Sequence, residues 1–218
     1  CNSRESPSSR RALALTSAGG GTTDIIVYKD GSVKHTAVIP IAGDQITNDI
    51  SVAFRTPQQS AEEIKINYGS CDTSKANSQE VIDVPLVDGR SPKKINAKEL
   101  SSIIEPRVKE LFELVTNELI RSKLINKIAS GIVITGGSSL MKNITDIAEK
   151  NFNQSVRIGY PQGVDGLRQI IENPRYATGI GLIKRGKIDY ENDQRRKIEG
   201  NSLVQILEKM KLWFQGNF

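Results

Sequence analysis

From Leu13 the chain carries a short apolar segment, then the run Gly19-Gly20-Gly21-Thr22-Thr23-Asp24, then the β-rich stretch Ile25-Ile26-Val27-Tyr28. Asp30-Gly31 behind it is a strong two-residue hairpin signal, so Val33 to Ile41 is expected to return as the partner strand. Pro40 and Gly43 close that hairpin, and Ile46, Ile50, Ala53 and Phe54 then recur at helical spacing. Thr56-Pro57 reads as the N-cap and first-turn pair of a second helix reaching about Ile66. Residues 67–96 read as turns and short strands, clearest at Val81-Ile82-Asp83-Val84. A long helix is predicted from Ala97 to Leu124, with Pro106 near its start and an apolar stripe of Val108, Leu111, Val115 and Ile120 packed on a small sheet. Ile132-Val133-Ile134 is a buried-strand run ended by Thr135-Gly136-Gly137-Ser138-Ser139, after which Leu140, Ile144, Ile147 and Ala148 mark a helix. Val156 to Ile158 gives another strand, and Tyr176 to Ile183 a small-residue helix whose Gly179 and Gly181 suit close packing. Beyond Gly186 the pattern turns polar until Asn201, and Ser202 to Phe214 is periodic again.

Composition narrows the class. With 218 residues, 37% of them hydrophobic, the chain can bury a real core, which excludes a disordered or polytopic membrane protein. No stretch approaches the roughly twenty apolar residues of a spanning helix, and the N-terminus has no apolar signal core, so the expectation is a cytoplasmic chain. The chain begins with Cys1 rather than Met, and its Ser/Pro/Arg-rich start reads as the disordered leader of a fragment. Cys1 and Cys71 make no disulfide framework and have no ligand at metal spacing, and His35 alone cannot build a metal cluster; His35 and Tyr28 read as hairpin residues with no role. The net charge of +5 sits at the ends: residues 16–183 hold 19 basic and 19 acidic side chains. That neutral core, with an aromatic content of 5%, argues against a nucleic-acid binder.

The glycine runs carry the candidate chemistry. Alone, Gly-Gly-Gly-Thr-Thr-Asp mostly marks a turn. Between a strand and a hairpin, its bare backbone lets amides approach a phosphate, and the threonine hydroxyls add donors. The run at 136–138 follows another strand and leads into a helix, the arrangement in which backbone N–H groups face a ligand. Two such loops flanking a helical insertion make one bipartite site plausible.

The segments GGGTTDIIVYKDGSVKHTAVIPIAGDQITNDISVAF, AEEIKINYGS, IIEPRVKEL, GIVITGGSSL and RIGYPQGVDGL, in this order and ending in an amphipathic tail, resemble the C-terminal half of the bacterial cell-division family FtsA, within the actin/Hsp70 superfamily. The resemblance covers about residues 18–218. It implies an α/β fold, the second lobe of an actin-like (ribonuclease H-like) ATPase fold with an inserted lid and a C-terminal amphipathic helix. The divisions expected are a leader at 1–15, a base from 16–50 and 129–185, a lid at 51–128, a linker at 186–201 and a membrane-targeting tail at 202–218. It also implies that Gly19, Gly20, Gly21 and Thr22 form the second phosphate loop. Gly136, Gly137 and Ser138 match the adenosine loop, and Glu62 and Lys65 match lid residues that face the nucleoside. On sequence alone that last pair reads as an exposed i,i+3 pair worth a few tenths of a kcal/mol. The chain departs from the family at Ser17, where an acidic residue is usual, and in lacking the first lobe with its own phosphate loop.

The function implied is a divisome adaptor, not an enzyme, which polymerises and tethers filaments of the tubulin-like protein FtsZ to the membrane. It would bind ATP with Mg2+ when complete and bind no cofactor tightly as this fragment. The alternative is an actin-fold ATPase or small-molecule kinase, but no carboxylate in 16–185 stands out as a catalytic base, so no catalytic or metal residue is assigned. The family's lid receives the acidic C-terminal peptide of FtsZ, and Arg107, with Lys109, is the expected carboxylate contact. The bland reading of that surface is a solvated face. Self-association into actin-like filaments and contacts with other divisome proteins are implied as well. In the tail, Leu203, Ile206, Leu207, Met210, Trp213 and Phe214 fall within about a 120° arc at helical spacing. Lys209 and Lys211 flank it, Leu212 lies on the wrong side, and the whole suits an anionic membrane surface better than docking on a protein. The expected location is the cytoplasmic face of the inner membrane at the division site.

Overall fold

The structure, a computed structural model, describes residues 13–128, 130–163 and 168–193. Strands β1 (Leu13–Ala18), β2 (Thr23–Lys29) and β3 (Ser32–Ile39) form an antiparallel meander, whose β2–β3 turn takes positive φ at Asp30 (54°) and Gly31 (72°). Strands β6 (Ile132–Thr135) and β7 (Val156–Ile158) add in parallel on the other side of β1, giving the order β3-β2-β1-β6-β7. Along β2, Thr23, Ile25 and Val27 are buried while Asp24 and Tyr28 are exposed, so one face of the sheet is committed to the core. All four residues of β6 are buried, as suits a central parallel strand.

Helices α1 (Gly43–Phe54), α2 (Gln58–Tyr68), α3 (Ala97–Arg121) and α4 (Ile144–Phe152) contribute to the core beside the short hairpin of β4 (Val81–Val84) and β5 (Lys93–Asn96). Buried apolar residues form one continuous cluster from Ile25 through Ile50, Ile64, Ile104 and Ile134 to Phe152. Asn96 caps α3 by accepting from Glu99 N at 2.9 Å. Its buried stripe is Val108, Leu111, Phe112, Val115 and Leu119; Ile120, expected inside, is 54% exposed because it lies a further 100° round the helix from Leu119. Two other expectations fail locally. Pro57, not Thr56, is the N-cap of α2, its carbonyl accepting from Ala61 N, and the Thr56 hydroxyl is buried with no hydrogen-bond partner among the described residues. Leu140 falls on a 3-10 turn (Gly137–Leu140) ahead of α4 and is 47% exposed.

The chain divides into two compact units, one up to Ala177 and one from Thr178 on. The first also holds a short helix α5 (Arg168–Ile171) and the 3-10 turn Pro174–Tyr176. Residues 177–193 are helical, so helix runs into the stretch read as the linker 186–201, and among the described residues nothing stands within 4 Å of where a Cβ would be at Gly179 or Gly181. The tail expected from 202 on lies outside the described residues.

The interior face of α3 predicts a sharp contrast. Phe112 packs against Phe152 with ring centroids 5.2 Å apart. Phe112→Ala should cost about 3–5 kcal/mol in chemical denaturation, whereas Ile120→Ala should fall within about 0.5 kcal/mol of the parent.

Candidate functional site

Because β1 and β6 run parallel with Ser17 opposite Thr135, the chain leaves both strands at the same sheet edge. Gly19–Thr22 follows β1 and Gly136–Ser138 follows β6, so the two glycine loops lie side by side beyond the carboxyl ends of adjacent parallel strands, the usual ligand position in such sheets. They touch. Gly136 has φ +89°, and a Cβ there would stand 2.4 Å from Ala18 O, which restricts the position to glycine. Ser138 Oγ donates to Gly19 O at 3.0 Å.

The start of α1 completes the floor. Gly43 N donates to Gly19 O at 3.2 Å and Asp44 N to Gly20 O at 2.8 Å, so the glycine loop satisfies amides that a helix N-terminus leaves open. Gln45 Oε1 accepts from Ala42 N at 2.8 Å and takes another. With its carbonyls held from behind, the loop leaves the amides of Gly20, Gly21 and Thr22 exposed and, among the described residues, without a hydrogen-bonded acceptor. Asp44 lies against Gly20, its carboxylate oxygens 3.1 and 3.3 Å from where a Cβ would be. Ser17 pairs with Asp24 across β1 and β2, which puts an acidic group on the same sheet face one strand over from the expected acidic position.

Helix α2 brings Glu62 and Lys65 to this floor. Lys65 is only 7% exposed; its Nζ donates to Gly43 O at 3.0 Å and Thr47 Oγ1 at 2.7 Å and pairs with Glu62 Oε2 at 2.6 Å. The Thr47 hydroxyl also bonds to Glu62. Burial by itself would raise the Glu62 pKa, but the bonds from Lys65 and Thr47, with the charges of Lys65 and Arg175, hold it below the usual carboxylate range. All four segments meet at Gly43, where a Cβ would stand 2.9 Å from Ser138 Oγ, 3.2 Å from Gly19 O and 3.4 Å from Lys65 Nζ. The structure therefore brings Gly19, Gly20, Gly21, Thr22, Glu62, Lys65, Gly136, Gly137 and Ser138 to one place. Sequence reasoning missed Gly43, Asp44, Thr47 and Arg175. Gly43 looked like a hairpin-closing glycine, and Thr47 carries no motif.

A strap after α2 holds the floor together from outside. Ser70 bridges to Lys142, Cys71 N donates to Lys142 O at 2.9 Å, and Asn143 Nδ2 donates to Ser70 Oγ at 2.9 Å. Asp72, buried, accepts from Ser74 N at 3.0 Å, Ser74 Oγ at 2.5 Å and Lys150 Nζ at 3.0 Å, and these bonds, led by the Ser74 hydroxyl, lower its pKa to about 2. Cys71 is fully buried, and burial raises its thiol pKa, so it is an unreactive core residue.

Arg107 and Lys109 stand elsewhere, on α3. Arg107 grips Asp49 of α1 through Nε at 2.6 Å and Nη2 at 3.1 Å and holds Glu110 at 2.5 Å, while Lys109 pairs with Glu105 at 2.6 Å. Both expected partner cations thus already hold carboxylates, beside an open groove of about 460 Å³ lined by Val52, Ala53, Ile103 and Pro106. His35, given no role from sequence, joins β3 to α3 through Glu118 at 2.7 Å. Leu203, Ile206, Leu207, Lys209, Met210, Lys211, Trp213 and Phe214 lie outside the described residues.

Residues 14–181 match the family profile described as "Cell division protein FtsA". Relatives of that description include one from Pseudomonas aeruginosa, 44% identical over 212 residues, and one from Escherichia coli K12, 34% identical over 215; each match covers 94% of this chain and 51% of the relative. The chain spans about half the length of the curated relatives it matches. Among solved structures, MreB5 of Spiroplasma citri bound to ADP superposes with a TM-score of 0.64 at 21% identity, covering 84% of this chain and 56% of that one. A PilM-PilN type IV pilus biogenesis complex superposes with a TM-score of 0.61 at 18% identity, covering 81% and 46%. These likenesses give the fold as α/β and actin-like.

The strap makes a pH prediction with a definite sign. A carboxylate whose pKa falls from 3.8 to about 2 on folding stabilises the protein above pH 4, and that contribution disappears as pH falls toward 2. Denaturation midpoints measured across this range should fall less steeply for Asp72→Asn than for the parent, with the two profiles converging at the acid end.

Proposed function

The chain belongs to the FtsA family of cell-division proteins, and on that premise we propose that it forms one wall of an adenine-nucleotide cleft in a divisome adaptor that polymerises and tethers FtsZ filaments to the membrane. The observation that carries this reading is the junction of the two glycine loops at Gly19, Gly43 and Ser138, with exposed loop amides directed away from their anchored carbonyls. In that cleft Gly20, Gly21 and Thr22 would hold phosphate through backbone N–H groups, Gly136–Ser138 would lie along the nucleoside, and Glu62 and Lys65 would border it from α2. Bound Mg-ATP would supply a polyanion with its divalent counter-ion, and the donor set fits both: free amides suit the phosphates, and the carboxylates of Asp24 and Asp44 flank the loop on which a cation would approach. The opposing donors and the exclusion of water belong, in this proposal, to the part of the family's length that this sequence does not span.

The groove between α1 and α3 is the proposed seat of the acidic FtsZ tail. Its apolar walls suit the peptide's side chains, and Arg107 at its edge can exchange Glu110 for a partner carboxylate while keeping its two-point hold on Asp49. The tail's apolar arc and flanking lysines are the proposed membrane contact. No described helix is long and apolar enough to cross a membrane, so attachment in this scheme is peripheral, at the cytoplasmic face of the inner membrane.

Two measurements test the scheme. Calorimetric titration with Mg-ATP should show an affinity weaker than low-micromolar and no turnover; tight binding would mean that this wall alone suffices. Titration with an acidic FtsZ-type peptide should give weaker, less salt-dependent binding for Arg107→Glu. An unchanged affinity would remove Arg107 from the partner surface.

A further inference from the structure

Residues 16–183 hold 19 basic and 19 acidic side chains, but the fold does not spread them evenly. The end of the sheet opposite the glycine loops gathers the β2–β3 turn, the close of α3, the stretch from 122 to 131 and the start of β7. Three contacts join these segments: His35 of β3 meets Glu118 of α3 at 2.7 Å, Gln154 Nε2 donates to Ile125 O at 3.4 Å, and Ile132 N donates to Ser155 O at 3.0 Å. Along this end lie Lys29, Lys34, Arg121, Lys123, Lys127 and Arg157, against the carboxylates of Asp30, Glu118 and Glu149. Arg121 is paired with Glu118 at 2.8 Å, and Glu149 accepts from Val156 N at 3.0 Å. The other five cations have no carboxylate partner among the described residues, and all of them except half-buried Lys29 are exposed. Tyr28, Val33 and Ile120 stand among them, 39%, 49% and 54% exposed.

Local reasons account for part of this. Arg121 and Lys123 sit at the C-terminal end of a long helix, whose dipole favours cations. Lys34 is left over where the β2–β3 register shifts between Val27 and Tyr28, and a bulged lysine keeps an edge strand from pairing with another chain. Neither reason reaches Lys29, Lys127 or Arg157, or the exposed apolar side chains between them. Such an excess of cations on one surface attracts a polyanion. An acidic peptide is held best by arginine forks in a groove, whereas four of these six cations are lysines, spread across the width of the sheet. A single-stranded nucleic acid needs several aromatic platforms, and Tyr28 is the one exposed ring at this end among the described residues. A lipid surface asks for what is present: dispersed lysines for headgroup phosphates, and a few apolar or aromatic side chains that can enter the interface.

We propose that this end of the sheet is a membrane-facing surface that takes the phosphate headgroups of an anionic bilayer. It is a different surface from the tail contact proposed above and stands without it. The glycine loops lie at the opposite ends of β1 and β6, so contact here leaves them uncovered. Arg107 is about 20 Å along α3 from Arg121 at the helical rise, which keeps its groove clear of the lipid contact.

The test is co-sedimentation of the full chain with vesicles of phosphatidylcholine alone and of phosphatidylcholine and phosphatidylglycerol in equal parts. Lys123→Ala with Lys127→Ala should weaken binding to the mixed vesicles about tenfold or more and leave binding to phosphatidylcholine unchanged. Lys123→Arg with Lys127→Arg, which keeps both charges, should bind as the parent does. The gap between parent and alanine variant should narrow as salt is raised. An alanine variant that binds mixed vesicles like the parent, or an arginine variant that loses as much as the alanine one, overturns the proposal. So does a change of molecular mass in the lipid-free alanine variant by sedimentation velocity, which would make this a contact between copies. Retention of a single-stranded oligonucleotide at a salt concentration that releases the vesicles overturns it too. The tail is tested separately by Trp213→Glu with Phe214→Glu. If that variant binds as the parent while the alanine variant does not, the tail reading falls and this surface stands; the reverse result removes this surface and keeps the tail. A parent chain that leaves mixed vesicles unbound overturns both.

Discussion

The carbonyl of Gly19 accepts two hydrogen bonds, from Gly43 N at 3.2 Å and Ser138 Oγ at 3.0 Å, and through it three segments far apart in sequence become one surface. Each bond contributes only about 0.5–1.5 kcal/mol net, too little to hold the segments by itself. The holding is done by the parallel β1–β6 pairing and by the buried residues beneath, Ile46 and Ile50 of α1 with Ile132 and Ile134 of β6. What the Gly19 carbonyl decides is direction. Once it faces α1 and Ser138, the following amides are left facing outward, where an anion can reach them.

The rest of the floor depends on the same close approach. Gly43 is crowded from three sides, and Lys65 reaches its carbonyl only because no side chain intervenes. Lys65 is buried, and Gly43 O, Thr47 Oγ1 and Glu62 Oε2 give its Nζ three polar partners in place of water. The strap at Ser70–Ser74 extends this order to the loop's far end, since it fixes the close of α2 against Lys142 and Asn143, next to the Gly137–Leu140 turn. Floor and strap thus set the relative placement of both glycine loops and α2.

Away from the glycine loops several cations are paired with carboxylates close by. Arg107 with Asp49 and Glu110, Lys109 with Glu105, and Arg121 with Glu118 are exposed or half-exposed pairs. Such pairs are individually worth about 1 kcal/mol or less, so they direct specificity more than stability. Arg107 is the pair with most constraint, because its fork holds Asp49 at two points and so ties α3 to α1 along the groove.

Local chemistry was legible wherever it suffices. Asp30-Gly31 dictates its turn because the pair tolerates positive φ, and the alternation through Ile25 and Val27 dictates which sheet face is buried. The glycine loops were recognisable as loops for the same reason, and the ordered motifs around them carried the family. The sequence could not separate Leu119 from Ile120, since adjacent residues on a helix differ by one 100° step and the packing partner chooses between them. Nor could it distinguish Glu62–Lys65 from an exposed surface pair: Lys65 is buried because Gly43 and Thr47 are brought to it from another helix. Gly43 shows the limit most clearly. A glycine is required where backbone from a distant segment passes within contact distance, so its meaning is created by the tertiary fold and is not written in neighbouring residues.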